Sequence, residues 1–79
     1  MTRMSNDDIV QIAKEIAADN GVDLRTAVVL PGFLGDETLE ISLMLAETAL
    51  GRSTAMTTSQ IVRRLADSGD DRRPIVRFI

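Results

Sequence analysis

Gly35–Gly51, GDETLEISLMLAETALG, is the longest uninterrupted apolar-rich segment of the chain, and its reading decides the fold. Asp36 suits an N-cap and Glu37 the first turn, where the helix dipole favours negative charge. Gly51 follows the last periodic residue, the usual place for a left-handed cap. Leu39, Leu43, Ala46 and Leu50 recur at spacings of four, three and four, which is one stripe of a helix. Ile41, Leu45 and Thr48 fall on nearly the opposite side with Met44 beside them, and Glu40 and Glu47 define the polar strip. The segment therefore reads as a helix over 36–51 with two apolar stripes, one that must be covered on both sides. A buried Leu or Ile contributes roughly 1.5–3 kcal/mol, so a wet second stripe forfeits a sizeable part of a small domain's stability. Either the rest of the chain covers both stripes, or Ile41, Met44 and Leu45 form part of a dimer or partner surface.

Upstream, Ser5-Asn6-Asp7-Asp8 opens a first helix over about 6–20, with Ser5 or Asn6 as its cap. Ile9, Ile12, Ala13, Ile16 and Ala17 make a single apolar stripe, and Asn20-Gly21 stops it. Asp8, Gln11, Glu15 and Asp19 line one flank, either a solvated edge or a docking edge for a basic partner. Thr26–Leu30 is short, partly β-branched and followed by the turn pair Pro31-Gly32, so it reads as a strand; the alternative is a packed apolar loop. Gly32-Phe33-Leu34-Gly35 fits no phosphate-binding fingerprint, and Asp36 and Glu37 stand where a phosphate needs positive potential.

Downstream, Arg52–Met56 reads as a turn, and Thr57 to Gln60 offers a capping box for a third helix over 57–68. Ile61, Val62, Leu65 and Ala66 face inward; Gln60, Arg63, Arg64 and Asp67 face out. Ser68-Gly69-Asp70-Asp71 breaks this helix, and Pro74–Ile79 reads as a strand whose natural mate is Thr26–Leu30. The expected fold is a single α+β domain over 1–79, mainly α, with three helices (6–20, 36–51, 57–68) and a two-stranded sheet from 26–30 and 74–79. An all-α small bundle is the alternative.

Composition narrows the function. Seventy-nine residues make one domain of marginal stability, burying roughly 60–65% of its unfolded surface. There is no Cys and no His, so disulfides, thiolate metal sites, the usual zinc ligand and the usual general base are missing. Lys14 is the sole Lys, and no His stands ready to activate a Ser or Thr nucleophile. Glu40 and Glu47 read as a solvated stripe rather than a catalytic pair. No catalytic, cofactor or metal residues are expected, and no small-molecule ligand. Trp and Tyr are absent, which serves single-strand stacking poorly. No apolar run is long enough for a membrane span and no signal-peptide core opens the chain, so a cytoplasmic protein is expected. Charge is split: residues 1–50 carry three basic and nine acidic groups, residues 51–79 six arginines and three acids. Such asymmetry points to a charged partner or to two halves that neutralise each other.

Two family resemblances follow. Leu45-Ala46-Glu47, Leu50-Gly51 and Ile61-Val62-Arg63-Arg64-Leu65 look like pieces of a helix-turn-helix, and Asp71–Arg77 is similar to the wing of MarR-type winged-helix regulators. That resemblance covers the second half of the chain and implies a DNA-binding regulator, with Gln60, Arg63 and Arg64 facing the groove and Arg72, Arg73 and Arg77 on phosphates. Phe33–Glu40 sits where acyl carrier proteins have their phosphopantetheine-bearing Asp-Ser-Leu, but no Ser occupies the site, which implies a degenerate carrier at most. The leading expectation is a non-catalytic interaction or inhibitor module with a protein partner, or a homodimer. Its acidic flank (Asp8, Glu15, Asp19, with Glu40 and Glu47) would block a basic groove sterically and electrostatically. In size and acidity it resembles the short, cofactor-free domains common among phage and mobile-element inhibitors, anti-CRISPR proteins and DNA mimics included; no residue motif carries that resemblance.

Overall fold

The computed structural model describes residues 3–31, 37–48 and 51–79. Helix α1 spans Asn6–Asp19, strand β1 Leu24–Pro31, strand β2 Thr38–Leu45, helix α2 Gly51–Asp67 and strand β3 Arg73–Phe78. The chain is an α+β domain of two helices and a three-stranded mixed sheet, not three helices with two strands and not an all-α bundle.

Helix α1 is where the sequence places it. Ser5 is extended and its Oγ accepts from the Asp8 N–H at 3.2 Å, satisfying a donor that the first turn leaves free. At the other end the Val22 N–H donates to Ala17 O (2.8 Å) and the Gly21 N–H to Ala18 O (3.1 Å), with Gly21 at φ +72°. This pair of bonds is the Schellman motif, and Val22 and Ala17, which it joins, are both buried. Helix α2 ends the same way: the Asp70 N–H donates to Leu65 O and the Gly69 N–H to Ala66 O, with Gly69 at φ +86°.

The segment expected as the central helix is instead the central strand. From Leu39 to Met44 the side chains alternate, with Leu39, Ile41 and Leu43 buried and Glu40, Ser42 and Met44 on the other face; Thr38, at the start of the strand, is buried too. Leu39 and Leu43 are four apart, which satisfies a period of 3.6 and a period of 2 alike. The second apolar stripe of the helical reading was the sign that the period is 2. Helix propensities of Leu, Glu, Met and Ala differ from those of strand formers by only tenths of a kcal/mol per residue. Pairing on both sides outweighs that: β2 runs antiparallel to β1 (Val29 opposite Ile41) and parallel to β3 (Ile41 opposite Val76). Strands β1 and β3 were expected to pair with each other; β2 lies between them. The cap and stripe expected at Asp36 and Leu50 lie outside the described residues, and Gly51 opens a helix rather than closing one.

Helix α2 begins six residues earlier than its expected start at Thr57. Arg52–Met56 is helical, and Thr57 is buried in mid-helix rather than capping it. Thr57, Ile61 and Leu65, four apart, form its buried stripe. The Thr57 hydroxyl donates to Ser53 O at 2.7 Å and accepts from Asn20 Nδ2 at 3.2 Å. That amide also donates to Ile16 O and to Gln60 Oε1, so Asn20 ties the end of α1 to the side of α2. Buried polar groups so satisfied fix the two helices against each other.

Both helices cover one face of the sheet. The core joins Ile9, Ala13 and Ile16 of α1, Ala27 and Val29 of β1, Leu39, Ile41 and Leu43 of β2, and Ile61 and Leu65 of α2. Val76 and Phe78 close its β3 side, half-buried. The parallel β2–β3 pair needs a crossover, which α2 supplies. Bonds from the Arg73 N–H to Glu37 O and the Ile79 N–H to Leu43 O show that odd-numbered residues of β3 address β2. Pro74, Val76 and Phe78 therefore point their backbone groups off the sheet. By the same alternation, anchored by the Ala46 N–H donating to Asp23 O, Pro31 points off the β1 edge. The chain's two prolines thus sit at edge positions where no ladder donor is lost, and there they blunt the edges.

Candidate functional site

The strand register builds a second face, opposite the helices. Three rows of side chains cross it: Leu30–Glu40–Ile75, Val28–Ser42–Arg77, and Thr26–Met44 with Ile79 beyond. No described element covers them. Val28 is 43% exposed, Leu30 47%, Met44 36%, Ile75 42% and Ile79 64%, about two whole apolar side chains left in water. At ~1.5–3 kcal/mol for each fully buried side chain, covering this face would release about 3–6 kcal/mol. In its middle Arg77 Nη2 lies 3.1 Å from Glu40 Oε1. The guanidinium is mostly exposed and has donors to spare, whereas Glu40 is largely covered. Arg73 flanks Thr38 at the end of the same face. The sheet is mixed, and the described chain covers one of its two faces.

The residues expected to bind a partner do not share one surface. Of Ile41, Met44 and Leu45, only Met44 lies exposed on the open face; Ile41 is fully buried in the core and Leu45 is half-buried at the end of β2. A period of 2 sends Ile41 and Met44 to opposite faces. The five acids split likewise. Asp8, Glu15 and Asp19 are exposed on α1, Glu40 is paired on the sheet, and Glu47 follows β2. Sequence reasoning missed Val28, Leu30, Ile75 and Ile79. Their signal was apolar residues at both parities of Ala27–Leu30 and Ile75–Val76, the pattern of strands covered on both faces.

The arginines also separate. Arg63 and Arg64 are exposed on α2, in a shallow groove with Ile16, Asp19, Gln60 and Asp67. Two acids there offset the two cations. Arg72, expected on phosphate, is bound to Asp70. Its Nη2 donates to Asp70 Oδ2 at 2.7 Å and its Nε and backbone N–H to Oδ1 at 3.0 Å each. The Met4 N–H reaches Oδ2 at 3.2 Å, and Arg72 Nη2 returns a bond to Met4 O at 3.1 Å. The side-chain bonds from Arg72 hold the Asp70 carboxyl well below the usual carboxylate range; burial opposes them, and the two backbone donors add to them. The same partner raises the Arg72 guanidinium. This node clips the chain's start to the α2–β3 turn and leaves neither charge free for a ligand.

The helix-turn-helix pieces do not assemble: Leu45 ends a strand, Ala46 and Glu47 form a bend, and a single helix, α2, carries Ile61–Leu65. Of the carrier-like stretch, 33–36 lies outside the described residues and Thr38–Glu40 is strand. Glu37, Thr38, Asp71 and Arg73 line a cavity of about 350 Å³, where two acids face one arginine and Arg3 already engages Asp71 at 3.1 Å. Among the described residues no group of three or more Asp and Glu is placed to hold a metal ion, and no helix is long and apolar enough to cross a membrane. The chain matches no protein-family model, no curated protein and no solved structure.

Proposed function

We propose that the protein is a non-catalytic interaction module that docks another polypeptide through the uncovered face of its sheet. The observation that carries this is the set of five large apolar side chains, Val28, Leu30, Met44, Ile75 and Ile79, around the Glu40–Arg77 pair. An apolar centre with one charged pair to fix orientation is how protein interfaces are commonly built. The acidic edge of α1 and the arginines of α2 lie on the helical layer, where they serve solubility and electrostatic approach.

Site-specific photocrosslinking in the native host cell tests it. A photoreactive residue at Ile75 or Val28 should give discrete protein adducts, and one at Lys14 or Arg63, on the helical layer, should not. Adducts from the helical positions alone would remove the reading.

A further inference from the structure

We infer that the occupant of the open sheet face is a second copy of this chain, packed face to face about a two-fold axis that crosses the strands. This rests on the reading of that face as the docking surface. The argument is one of charge and register. An axis midway between the Glu40 and Ser42 levels keeps each strand over its own counterpart, running the opposite way. The row Leu30–Glu40–Ile75 of one copy then faces the row Val28–Ser42–Arg77 of the other. Leu30 meets Val28 of the second copy, and Glu40 meets uncharged Ser42.

Arg77 of the second copy lands over Ile75, displaced sideways from Glu40 by one strand spacing (~4.8 Å), and its long side chain reaches across the ~10 Å between packed sheets. Each Glu40 is then flanked by two Arg77 guanidiniums, its own and the one opposite. The arrangement is reciprocal, as a two-fold contact requires. A parallel axis along β2 would instead set Glu40 against Glu40, so the face selects the crossing axis. Three strands of this length present a face of about 14 by 25 Å. That is small for an interface, so the dimer is weak and forms only at high protein concentration.

Sedimentation equilibrium of the full chain from about 10 μM to 1 mM reads this directly. The wild type should shift from monomer to dimer across the range, and Leu30→Lys should remain folded and monomeric throughout. Glu40→Arg makes the face wholly basic at its centre and Arg77→Glu wholly acidic, so each alone should lose dimerisation at least tenfold. Mixed in equal amounts, the two should form a heterodimer, because each supplies the charge the other lacks. A wild type that is monomeric at 1 mM overturns the inference, as does a dimer that survives Leu30→Lys. Mixing without heterodimer formation overturns the crossed Glu40–Arg77 pairs. Photoadducts at Ile75 with the mass of another protein, together with a monomeric wild type, would sink the second copy and leave the docking face standing. Absence of adducts at Ile75 would sink both.

Discussion

Replacing Asp70 with Ala tests the clip that joins Met4 to the α2–β3 turn. Asp70 follows the glycine that ends α2, and its side chain is 1% exposed. It accepts from Arg72 at 2.7, 3.0 and 3.0 Å and from the Met4 N–H at 3.2 Å. The Ala variant removes the acceptor for all four donors and leaves a guanidinium only 13% exposed with Met4 O as its remaining hydrogen-bond acceptor. Breaking a sealed ion pair by removing one partner costs about 3–5 kcal/mol. Arg72 keeps some contact with water, so a loss of about 2–4 kcal/mol is expected, against ~4–12 kcal/mol for a whole domain of this length. At ~4–8 °C per kcal/mol, the melting temperature falls by roughly 10–25 °C.

Urea unfolding followed by circular dichroism at pH 7 reads the loss, alongside Arg72→Met and the double variant. Removing both charges strands neither, so the double variant should be more stable than the sum of the two single losses predicts. A loss below about 1 kcal/mol for Asp70→Ala, or strict additivity in the cycle, would refute the reasoning. The pH dependence has a definite sign. The folded state holds the Asp70 carboxyl below its unfolded value, so folding favours the ionised form. The stabilisation is complete above the ~3.9 of an unfolded aspartate and is lost as pH falls from there through the folded value. The gap between wild type and Asp70→Ala should be flat from about pH 5 to 8 and close on further acidification.

Two other predictions concern the local structure. Gly21→Ala and Gly69→Ala meet no atom within 4 Å of the new Cβ, so their cost is that of a positive φ alone, about 1–2 kcal/mol each by thermal melting; neutral variants would contradict the two Schellman ends. In β2, Leu43→Ala should cost about 2–5 kcal/mol and its outward neighbours Ser42→Ala and Met44→Ala less than about 1, measured by urea unfolding; equal losses at 43 and 44 would contradict the period of 2.

Local chemistry determined much of this protein from the sequence alone. Ser5, the stripe from Ile9 to Ala17 and Gly21 suffice for α1, because caps and a single clean 3.6 period depend only on near neighbours. Ser68-Gly69 ends α2 for the same reason, and Thr26–Leu30 and Pro74–Ile79 are β-rich and bounded by turn residues. Thr38–Leu45 is different. Its Leu spacing fits both periods and its residues are good helix formers, so no local term separates the two conformations. What decides is a neighbour on each side: β1 precedes β2 closely in sequence, but β3 returns only after the whole of α2. Once β2 is a strand, Leu39, Ile41 and Leu43 go to the core and Glu40, Ser42 and Met44 to the open face, which moves Ile41 inward and leaves Glu40 beside Arg77. Asp70 and Arg72 are adjacent enough in sequence to pair, but their burial needs Met4, which lies 66 residues from Asp70. The open sheet face and the Asp70–Arg72 clip thus arise from contacts between distant parts of the chain, and their energy is absent from any short window of residues.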